Sequence, residues 1–176
     1  FPEIKPDFYQ GYLKQFSTVI SFGDRKLAHP QVHETWAPFP WMMGVEALPG
    51  GKVGAYASFD DFEKLAATPK SKLLSVISSN KAHTPGHRKR LEFVTHLKNH
   101  FKDQIDIFGR GIRDFKDKSE AIGPYKYHVA IENSACRNGI SEKLYDVFLA
   151  DSYPIYYGCP NAHEYFPENS LSNIDI

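Results

Sequence analysis

The sequence predicts an α/β fold in which a parallel sheet carries helices on both faces. From Lys72 onward, short apolar runs alternate with amphipathic stretches, an order that is typical of such a sheet. Several of the apolar runs end in polar residues, as the run KLLSVISSN from 72 to 80 does. Buried parallel strands have this pattern, because their bodies are covered on both faces and their carboxyl ends reach solvent.

The first 70 residues show less regular patterns. The run at 16–23, FSTVISFG, predicts a short buried strand. Residues 28–49 are rich in His, Pro and Trp without a clean period, so we expect an ordered loop or linker. The glycines between 50 and 54 indicate a turn. A short helix is expected at 60–67, with Ser58 as its N-cap.

The remaining elements follow from hydrophobic periodicity and capping signals. The helix at 87–101 has apolar residues at spacings of three and four, namely Leu91, Val94, Leu97 and Phe101. The helix at 141–150 begins after an Asn138-Gly139 turn, with Ser141 as its cap. The predicted strands are 72–80, 104–109, 125–132, 153–158 and 171–176, and the predicted helices are 87–101, 116–121, 141–150 and a turn at 162–166.

Composition excludes several classes of partner and site. The 176 residues have a formal net charge of zero, so bulk attraction to nucleic acid or to an anionic membrane is not expected. No apolar run reaches the ~20 residues of a transmembrane helix, and no signal peptide opens the chain. Cys136 and Cys159 lack metal-ligand spacing and are expected to be thiols in a reducing compartment. Because the chain starts at Phe1 and stops on an apparent strand, we expect a piece of a longer protein.

Polar side chains gather where one strand ends and the next helix begins. Glu132 and Asn133 follow the apolar strand body YHVAI, and Ser141, Glu142 and Lys143 open the next helix. Open α/β sheets bind ligands at this edge, where helix N-termini favour anions. A lysine in the first helical turn is disfavoured by the helix dipole unless a phosphate is bound there. Two simpler interpretations stay open: Asn133 caps its own turn, and Lys143 is a solvated surface residue.

A second polar group follows the strand at 72–80. Ser79 and Asn80 end this run, and a loop containing Gly86 then leads into a helix that carries Arg88 and Arg90. The pattern is a candidate phosphate cradle, although it is neither a Walker loop nor a GxGxxG fingerprint. The alternative is that each arginine lies on a solvated helix face.

Taken together, these motifs resemble glycosyltransferase family 10, the α1,3/α1,4-fucosyltransferases. That family carries a YKF-x-x-x-FEN-[ST] strand, a TEK helix start and a P-[IV]-x-x-G strand, and this chain has YKYHVAIENS, SEKLYDVFLA and PIYYG in the same order. The resemblance is tight over 72–176 and loose before it. It implies a Rossmann-like sheet that forms the C-terminal half of a GT-B glycosyltransferase. Residues 1–70 would then be the end of the N-terminal, acceptor-side lobe and its linker, and 71–176 the donor-binding domain, cut at its C-terminus.

The resemblance also implies an activity: inverting transfer of L-fucose from GDP-fucose to a hydroxyl of an N-acetylglucosamine-containing glycan. Arg90, with Arg88 as the alternative, and Lys143 would stabilise the departing GDP, so that no metal or other cofactor is required. Glu142 would lie near the sugar. The general base would be Glu3 or a residue upstream of this chain.

The donor-binding set implied by the resemblance is Ser79, Asn80, Arg90, His128, Asn133, Glu142 and Lys143. Three positions depart from the family pattern: Ser141 replaces threonine, Gly139 replaces an aromatic residue, and His128 replaces Tyr or Asn. Gly139 puts the donor sugar in doubt more than the fold.

Two alternative functions therefore stay open: a non-catalytic module that binds a nucleotide sugar or glycan, and a transferase of the same frame that uses another nucleotide sugar. The expected location is the cytoplasm in a bacterium, with membrane association only through segments outside this chain, or the Golgi lumen in a eukaryote.

Two further groups are given structural roles. His29 and His33 have helical spacing, but Pro30 separates them and no HExxH motif occurs, so metal binding is not expected there. Trp36 and Trp41 are predicted to pack between domains rather than to stack on a sugar.

Overall fold

The structure is a computed structural model that describes residues 11–22, 27, 29–36, 39–48 and 52–176. The strands are β1 (Val19–Ser21), β2 (Val32–Glu34), β3 (Val45–Ala47), β4 (Val53–Tyr56), β5 (Lys72–Ile77), β6 (Ile105–Phe108), β7 (Tyr125–Ile131), β8 (Tyr153–Tyr157) and β9 (Ser172–Asn173). The α-helices whose two ends both lie among the described residues are α1 (Phe59–Ala66), α2 (Pro85–Phe101), α3 (Lys118–Ile122) and α4 (Glu142–Leu149). Short 3-10 turns span Lys102–Gln104 and Ala162–Glu164.

A parallel sheet forms the centre of the protein. Its strands lie side by side in the order β6, β5, β7, β8, β9, and every neighbouring pair is parallel. Val76 of β5 lies opposite Ile107 on one side and Val129 on the other. The predicted parallel sheet is therefore present, and β5 and β7 lie next to each other inside it.

Helices cover both faces of this sheet, as predicted. On one face Val94 of α2 packs into a cluster with Val76 and Val129. On the other face Leu144 and Val147 of α4 pack against neighbours in β7 and β8, and both side chains are fully buried. The residues of β7 alternate between the two clusters, because successive side chains of a strand point to opposite faces.

Local capping decides where the helices begin. The hydroxyl of Thr84 accepts a hydrogen bond from the backbone N–H of His87 at 3.2 Å, and Pro85 occupies the first turn. Helix α2 therefore begins two residues earlier than its apolar stripe predicted, because Pro is well suited to the first helical position. Ser141 precedes α4 and accepts from the N–H of Lys143 at 3.4 Å, as predicted for the cap.

The expectation of a buried strand at 16–23 is wrong. Of the described residues in this range, 16–22, only 19–21 form a strand, β1, which pairs in parallel with β2 in a small sheet separate from the main one. Ile20 is 72% exposed. An apolar run predicts an extended segment, but it does not show which surface will cover it.

Three other expectations need correction. The region expected to be a loop at 28–49 contains β2 and β3, and β3 pairs with β4 in an antiparallel hairpin. Gly54 lies inside β4 rather than in a turn, while Gly50 and Gly51 lie outside the described residues. The last strand is limited to Ser172–Asn173, although Ile174 and Ile176 still pack on the α2 face of the sheet.

The segment before the hairpin docks on the main sheet domain. Met43 is fully buried in a cluster with Ile122 and Ala150. Trp41 packs edge-on against Phe62 of α1, with ring centres 6.1 Å apart. Whether 1–70 and 71–176 are separate domains stays a prediction.

Candidate functional site

The carboxyl ends of β5 and β7 form the edge at which the candidate residues meet. Ser79 and Asn80 follow β5, and Glu132 and Asn133 follow β7. Helices α2 and α4 both begin at this edge. The loop after β7 runs so close to α2 that a Cβ added at Gly86 would lie 2.9 Å from the carbonyl oxygen of Asn133. The topology therefore brings together the two motifs that the sequence separates by about fifty residues.

Arg90 is the buried cation of this edge. It is 7% exposed, although it stands on a helix rich in solvated side chains. Its guanidinium donates to the Asn133 side-chain oxygen at 3.1 Å and to the Ser79 hydroxyl at 3.5 Å. Its Nε is buried and has no hydrogen-bond partner among the described residues. Burial lowers the pKa of Arg90 from its ordinary value.

The other residues of the β5 edge lie differently. Arg88, the alternative to Arg90, is exposed and donates to the backbone oxygen of Ala82 at 3.2 Å. Asn80 is exposed, and its backbone N–H donates to the backbone oxygen of Arg110 at 3.3 Å. Of the two arginines, only Arg90 contacts the candidate residues after both strands.

Glu132 anchors the start of α4. Its carboxylate accepts from the Ser141 backbone N–H at 2.9 Å and from the Ser141 hydroxyl at 2.6 Å. Gly158 packs closely against Glu132 and Tyr156: a Cβ added there would lie 2.4 Å from Cγ of Glu132 and 2.5 Å from the Tyr156 hydroxyl. The glutamate of the ENS motif thus has internal partners, and it holds the helix start in place.

Lys143 is paired in this structure. Its ammonium lies 3.1 Å from a Glu132 oxygen, 3.3 Å from a Glu142 oxygen and 3.0 Å from the Ser141 hydroxyl. The interpretation as a solvated surface lysine therefore does not hold. A phosphate that binds Lys143 must share it with these two carboxylates.

Glu142 lies between two lysines. The same carboxylate oxygen is 3.3 Å from Lys143 and 3.6 Å from Lys118 of α3. Burial by itself would raise the pKa of Glu142, but the charges of Lys143 and Lys118, together with hydrogen bonds from Ser141 and Lys143, outweigh it and the pKa is lowered. Glu142 is therefore ionised at neutral pH.

His128 lies beneath these charges. It is 3% exposed, and its Nδ1 lies 2.7 Å from the Ser75 hydroxyl on the neighbouring strand. Burial, with a smaller effect from Lys118, lowers the pKa of His128 to about 3, so the imidazole is neutral. It lines a cavity of about 110 Å³, which Glu142 and Lys143 also line.

A network of amides stiffens the loop between β7 and α4. Asn138, at a positive φ of 59°, is buried and exchanges hydrogen bonds with Asn161 at 2.9 and 2.7 Å. The Tyr165 hydroxyl donates to the Asn138 side-chain oxygen at 2.6 Å. A Cβ at Gly139 would lie 2.1 Å from Sγ of Cys136, which occupies the space beside the glycine. A side chain at position 139 would therefore require Cys136 to move.

Sequence reasoning missed Lys118 and Asp146. Asp146 is fully buried in the middle of α4, where the helical pattern predicts an apolar face. Lys118 lies 2.6 Å from one of its oxygens. A charged residue on the buried stripe of α4 was the available signal, because a buried carboxylate requires partners.

Some predicted features fall elsewhere. Glu3, the candidate base, lies outside the described residues. The ring of His29 contacts the backbone oxygens of Gln31 and Phe16 at 3.0 and 2.9 Å. Trp36 packs edge-on against Tyr165, with ring centres 5.3 Å apart. Throughout the described ranges there is no group of three or more His, Cys, Asp or Glu side chains arranged to hold a metal ion.

Neither a disulfide nor a membrane-spanning helix is found in the part of the chain that the structure describes. Cys136 is partly exposed and Cys159 is buried, and they are not joined to each other. No described helix is long and apolar enough to cross a bilayer.

Known proteins match this chain in sequence and in fold. The family model described as glycosyltransferase family 10 (fucosyltransferase), C-terminal, matches residues 67–175. GDP-fucose protein O-fucosyltransferase 3 of Danio rerio is 38% identical over 56 residues, which cover 32% of this chain and 12% of that protein. Alpha-(1,3)-fucosyltransferase B of Drosophila melanogaster is 27% identical over 131 residues, which cover 65% of this chain and 28% of that protein.

A solved structure has the same fold. The crystal structure of an alpha1,3-fucosyltransferase with GDP-fucose superposes with a TM-score of 0.59 at 19% identity, covering 90% of this chain and 52% of that one. The likeness confirms the predicted fold class, a Rossmann-like α/β sheet as in half of a GT-B glycosyltransferase. This chain spans about half of that enzyme's length and smaller shares of the two relatives. Since the family model covers most of the chain, the protein belongs to glycosyltransferase family 10, the fucosyltransferases, and residues 67–175 are its C-terminal region.

Proposed function

We propose that the carboxyl edge of the sheet binds the GDP moiety of GDP-fucose, and that the complete protein transfers L-fucose from it with inversion. The acceptor in this proposal is a hydroxyl of an N-acetylglucosamine-containing glycan. Family membership supports the reaction class, and an alpha1,3-fucosyltransferase of the same fold was crystallised with GDP-fucose.

The state of Arg90 is the observation that carries the proposal. Within the described residues its guanidinium bonds only to an amide oxygen and a hydroxyl, which are both neutral, and its Nε bonds to nothing. A buried cation without an anionic partner is costly, and a guanidinium is well suited to bind phosphate through two parallel hydrogen bonds. A diphosphate at this edge would supply the missing negative charge.

Lys143 and the start of α4 supply the second positive contribution. Helix N-termini present free N–H groups and a positive dipole end to anions. In this structure Lys143 is held by Glu132 and Glu142, which keeps its ammonium at the edge before a donor arrives. When a diphosphate binds, Lys143 would share its three N–H donors between these carboxylates and a phosphate oxygen.

The reaction would proceed by one displacement at the anomeric carbon. The acceptor oxygen forms a bond to the anomeric carbon while the bond between this carbon and the phosphate oxygen breaks. GDP leaves with the electron pair of the broken bond. The acceptor proton passes to a general base, for which Glu3 or an upstream residue is the candidate. Arg90 and Lys143 would stabilise the charge that grows on the leaving phosphate.

Glu142 would act on the sugar. It is ionised at neutral pH, and it lines the same cavity as Lys143 and His128. A carboxylate there can hold sugar hydroxyls and oppose the positive charge that develops on the ring. Ser79, Asn80, His128 and Asn133 complete the proposed donor-binding set.

Titration calorimetry with GDP tests the proposal. Arg90→Met should weaken GDP binding by about tenfold or more, because hydrogen bonds to charged groups contribute about 1.5–3 kcal/mol. Arg88→Met is the matched control: this exposed arginine is two residues away on the same helix, and its loss should change the affinity by less than about twofold. No GDP binding to the wild-type chain at millimolar concentration, or equal losses in both variants, would refute the assignment.

Measurements of GDP affinity and of transfer activity distinguish the role of Glu142 from that of Lys143. Lys143→Met should weaken GDP binding, whereas Glu142→Gln should leave GDP affinity nearly unchanged and abolish transfer by the complete protein. Retained turnover in the Glu142→Gln variant would reject its role at the sugar.

The packing of Gly139 against Cys136 favours one rival function. A side chain there would have to displace Cys136, and the chain lacks the aromatic residue that the resemblance implies at this position, which fits a module that binds the donor without transferring its sugar. GDP binding without transfer by the complete protein would support that rival. Tighter binding of UDP than of GDP would instead indicate another donor.

A further inference from the structure

Lys118 occupies a position that no motif predicts. It opens helix α3, and its ammonium lies 2.6 Å from Asp146 Oδ2 and 3.6 Å from Glu142 Oε1. Both carboxylates belong to α4 and stand one helical turn apart, so they present their oxygens on the same side of that helix. Lys118 thus joins α3 to the turn that contains the candidate sugar contact.

The buried carboxylate of Asp146 holds Lys118 in place. The carboxylate is fully buried, and its other oxygen accepts the backbone N–H groups of Met42 and Met43 at 2.8 and 2.9 Å. Three donors therefore satisfy this buried charge: two amides and one ammonium. Met43 is itself fully buried, so the contact is a fixed part of the packing.

The two lysines beside Glu142 have different surroundings. Lys143 faces the edge, and in the proposed function it shares its N–H groups between the carboxylates of Glu132 and Glu142 and a phosphate oxygen. Lys118 is bound by the buried carboxylate of Asp146, which limits the movement of its ammonium. When Lys143 also binds the phosphate, Lys118 is the cation that stays with the carboxylates of Glu142 and Asp146.

We propose that Lys118 is a positioning residue for Glu142, held by Asp146 and through it by the backbone of Met42 and Met43. It keeps the carboxylate charged and aimed into the cavity while Lys143 serves the phosphate. The inference rests on the proposed function for the meaning of Glu142, but not for the contacts. It also ties the sugar side of the site to the docking of residues 42–43 onto the sheet domain.

The charged groups around Glu142 come from three elements. Lys118 lies on α3, Lys143 and Asp146 on α4, and Glu132 and the neutral His128 at β7. Burial acts to raise the pKa of Glu142, and Lys143 and then Lys118 act to lower it. With Lys143 shared with a phosphate, Lys118 is the other cation that opposes the effect of burial, together with the hydrogen bond from Ser141.

The test compares Lys118→Gln, Lys118→Arg and Lys116→Gln with the wild-type chain. Carbon-13 NMR of the glutamate carboxylates follows the titration of Glu142, whose signal is identified by its loss in Glu142→Gln. In Lys118→Gln the pKa of Glu142 should rise and the ratio of GDP-fucose to GDP affinity should fall about threefold to tenfold. Lys118→Arg should restore both, and Lys116→Gln, on the exposed segment before α3, should change neither.

An unchanged Glu142 titration in folded Lys118→Gln would overturn the inference. A purely structural role predicts a lower melting temperature with the titration and the affinity ratio unchanged. If Lys118→Gln does not fold, Asp146→Asn asks the same question: the amide oxygen still accepts from residues 42 and 43, but the charge that holds Lys118 is gone. A wild-type titration of Glu142 in that variant would contradict the role of Asp146.

The outcome is separable from that of the proposed function. Should wild-type chain fail to bind GDP, the proposed function fails, while the NMR titration of Glu142 still decides whether Lys118 controls this carboxylate.

Discussion

His128 should make the stability of this protein depend on pH in a way that His128→Asn removes. The imidazole is buried at 3% exposure, and burial lowers its pKa from 6.5 to about 3. An unfolded chain leaves the same side chain hydrated. Asparagine is a suitable replacement, because its amide can still bond to Ser75 and it does not titrate.

The sign and the size follow from proton linkage. Between about pH 3 and 6.5 the unfolded state binds a proton at His128 that the folded state does not bind. Through His128, the free energy of unfolding is therefore unaffected above the ordinary pKa of 6.5 and decreases as the pH falls below it. Each pH unit in this window removes about 1.4 kcal/mol, so lowering the pH to about 5 should cost about 2 kcal/mol.

Urea unfolding at about pH 7.5 and about pH 5 measures this difference. Protonation of acidic groups with lowered pKa values, such as Asp106 and Glu164, also destabilises the folded state in acid. This loss occurs in the wild type and in His128→Asn. The wild type should lose about 2 kcal/mol more than His128→Asn between the two conditions. His96→Gln, at an exposed position of α2, is the control for loss of a histidine as such. Equal losses in wild type and His128→Asn would show that the imidazole is not buried in its neutral form.

The other predictions concern stability at two close contacts. Gly158→Ala should destabilise the fold by about 1–3 kcal/mol and weaken GDP binding, because the new methyl group would overlap Glu132; Gly11→Ala, with open space around it, should be near neutral. Chemical denaturation and calorimetry measure both, and equal stability of the two variants would contradict the packing at Gly158. Lys70→Met should cost about 1–3 kcal/mol by urea denaturation, because the Lys70 ammonium donates to the backbone oxygens of Gly123, at 2.7 Å, and Ala150 at two helix ends. An unchanged denaturation midpoint in Lys70→Met would show that water replaces the lysine at both carbonyls.

The sheet and its helices were predictable because their signals are local. The strand β7 reads as an apolar run, the cap of α4 is Ser141, and a polar pair follows β7 directly. These features depend on neighbours within a few residues, so hydrophobic periodicity and capping rules reach them. The same rules placed Ser79, Asn80, Glu132 and Asn133 at the carboxyl ends of strands, which parallel strands share at one edge, whereas the choice of Arg90 over Arg88 came from the family resemblance.

The charges around Glu142 were not predictable in this way. Asp146 meets Met42 and Met43 across 104 and 103 residues of chain, and it meets Lys118 across 28. In the sequence Asp146 is only an acidic residue in a short helix. Its burial depends on which segment packs over α4, and no local pattern contains that information.

From Lys72 onward the sequence by itself determined the order of strands and helices, and it also determined the family and the edge of the sheet where the candidate residues gather. Only the tertiary structure decided that Lys143 is shared by two carboxylates, that His128 is sealed beneath them, and that β1 lies outside the main sheet with Ile20 exposed. The physical reason is that capping and periodicity act along the chain, whereas burial and charge pairing depend on distances through space between residues that are far apart in sequence.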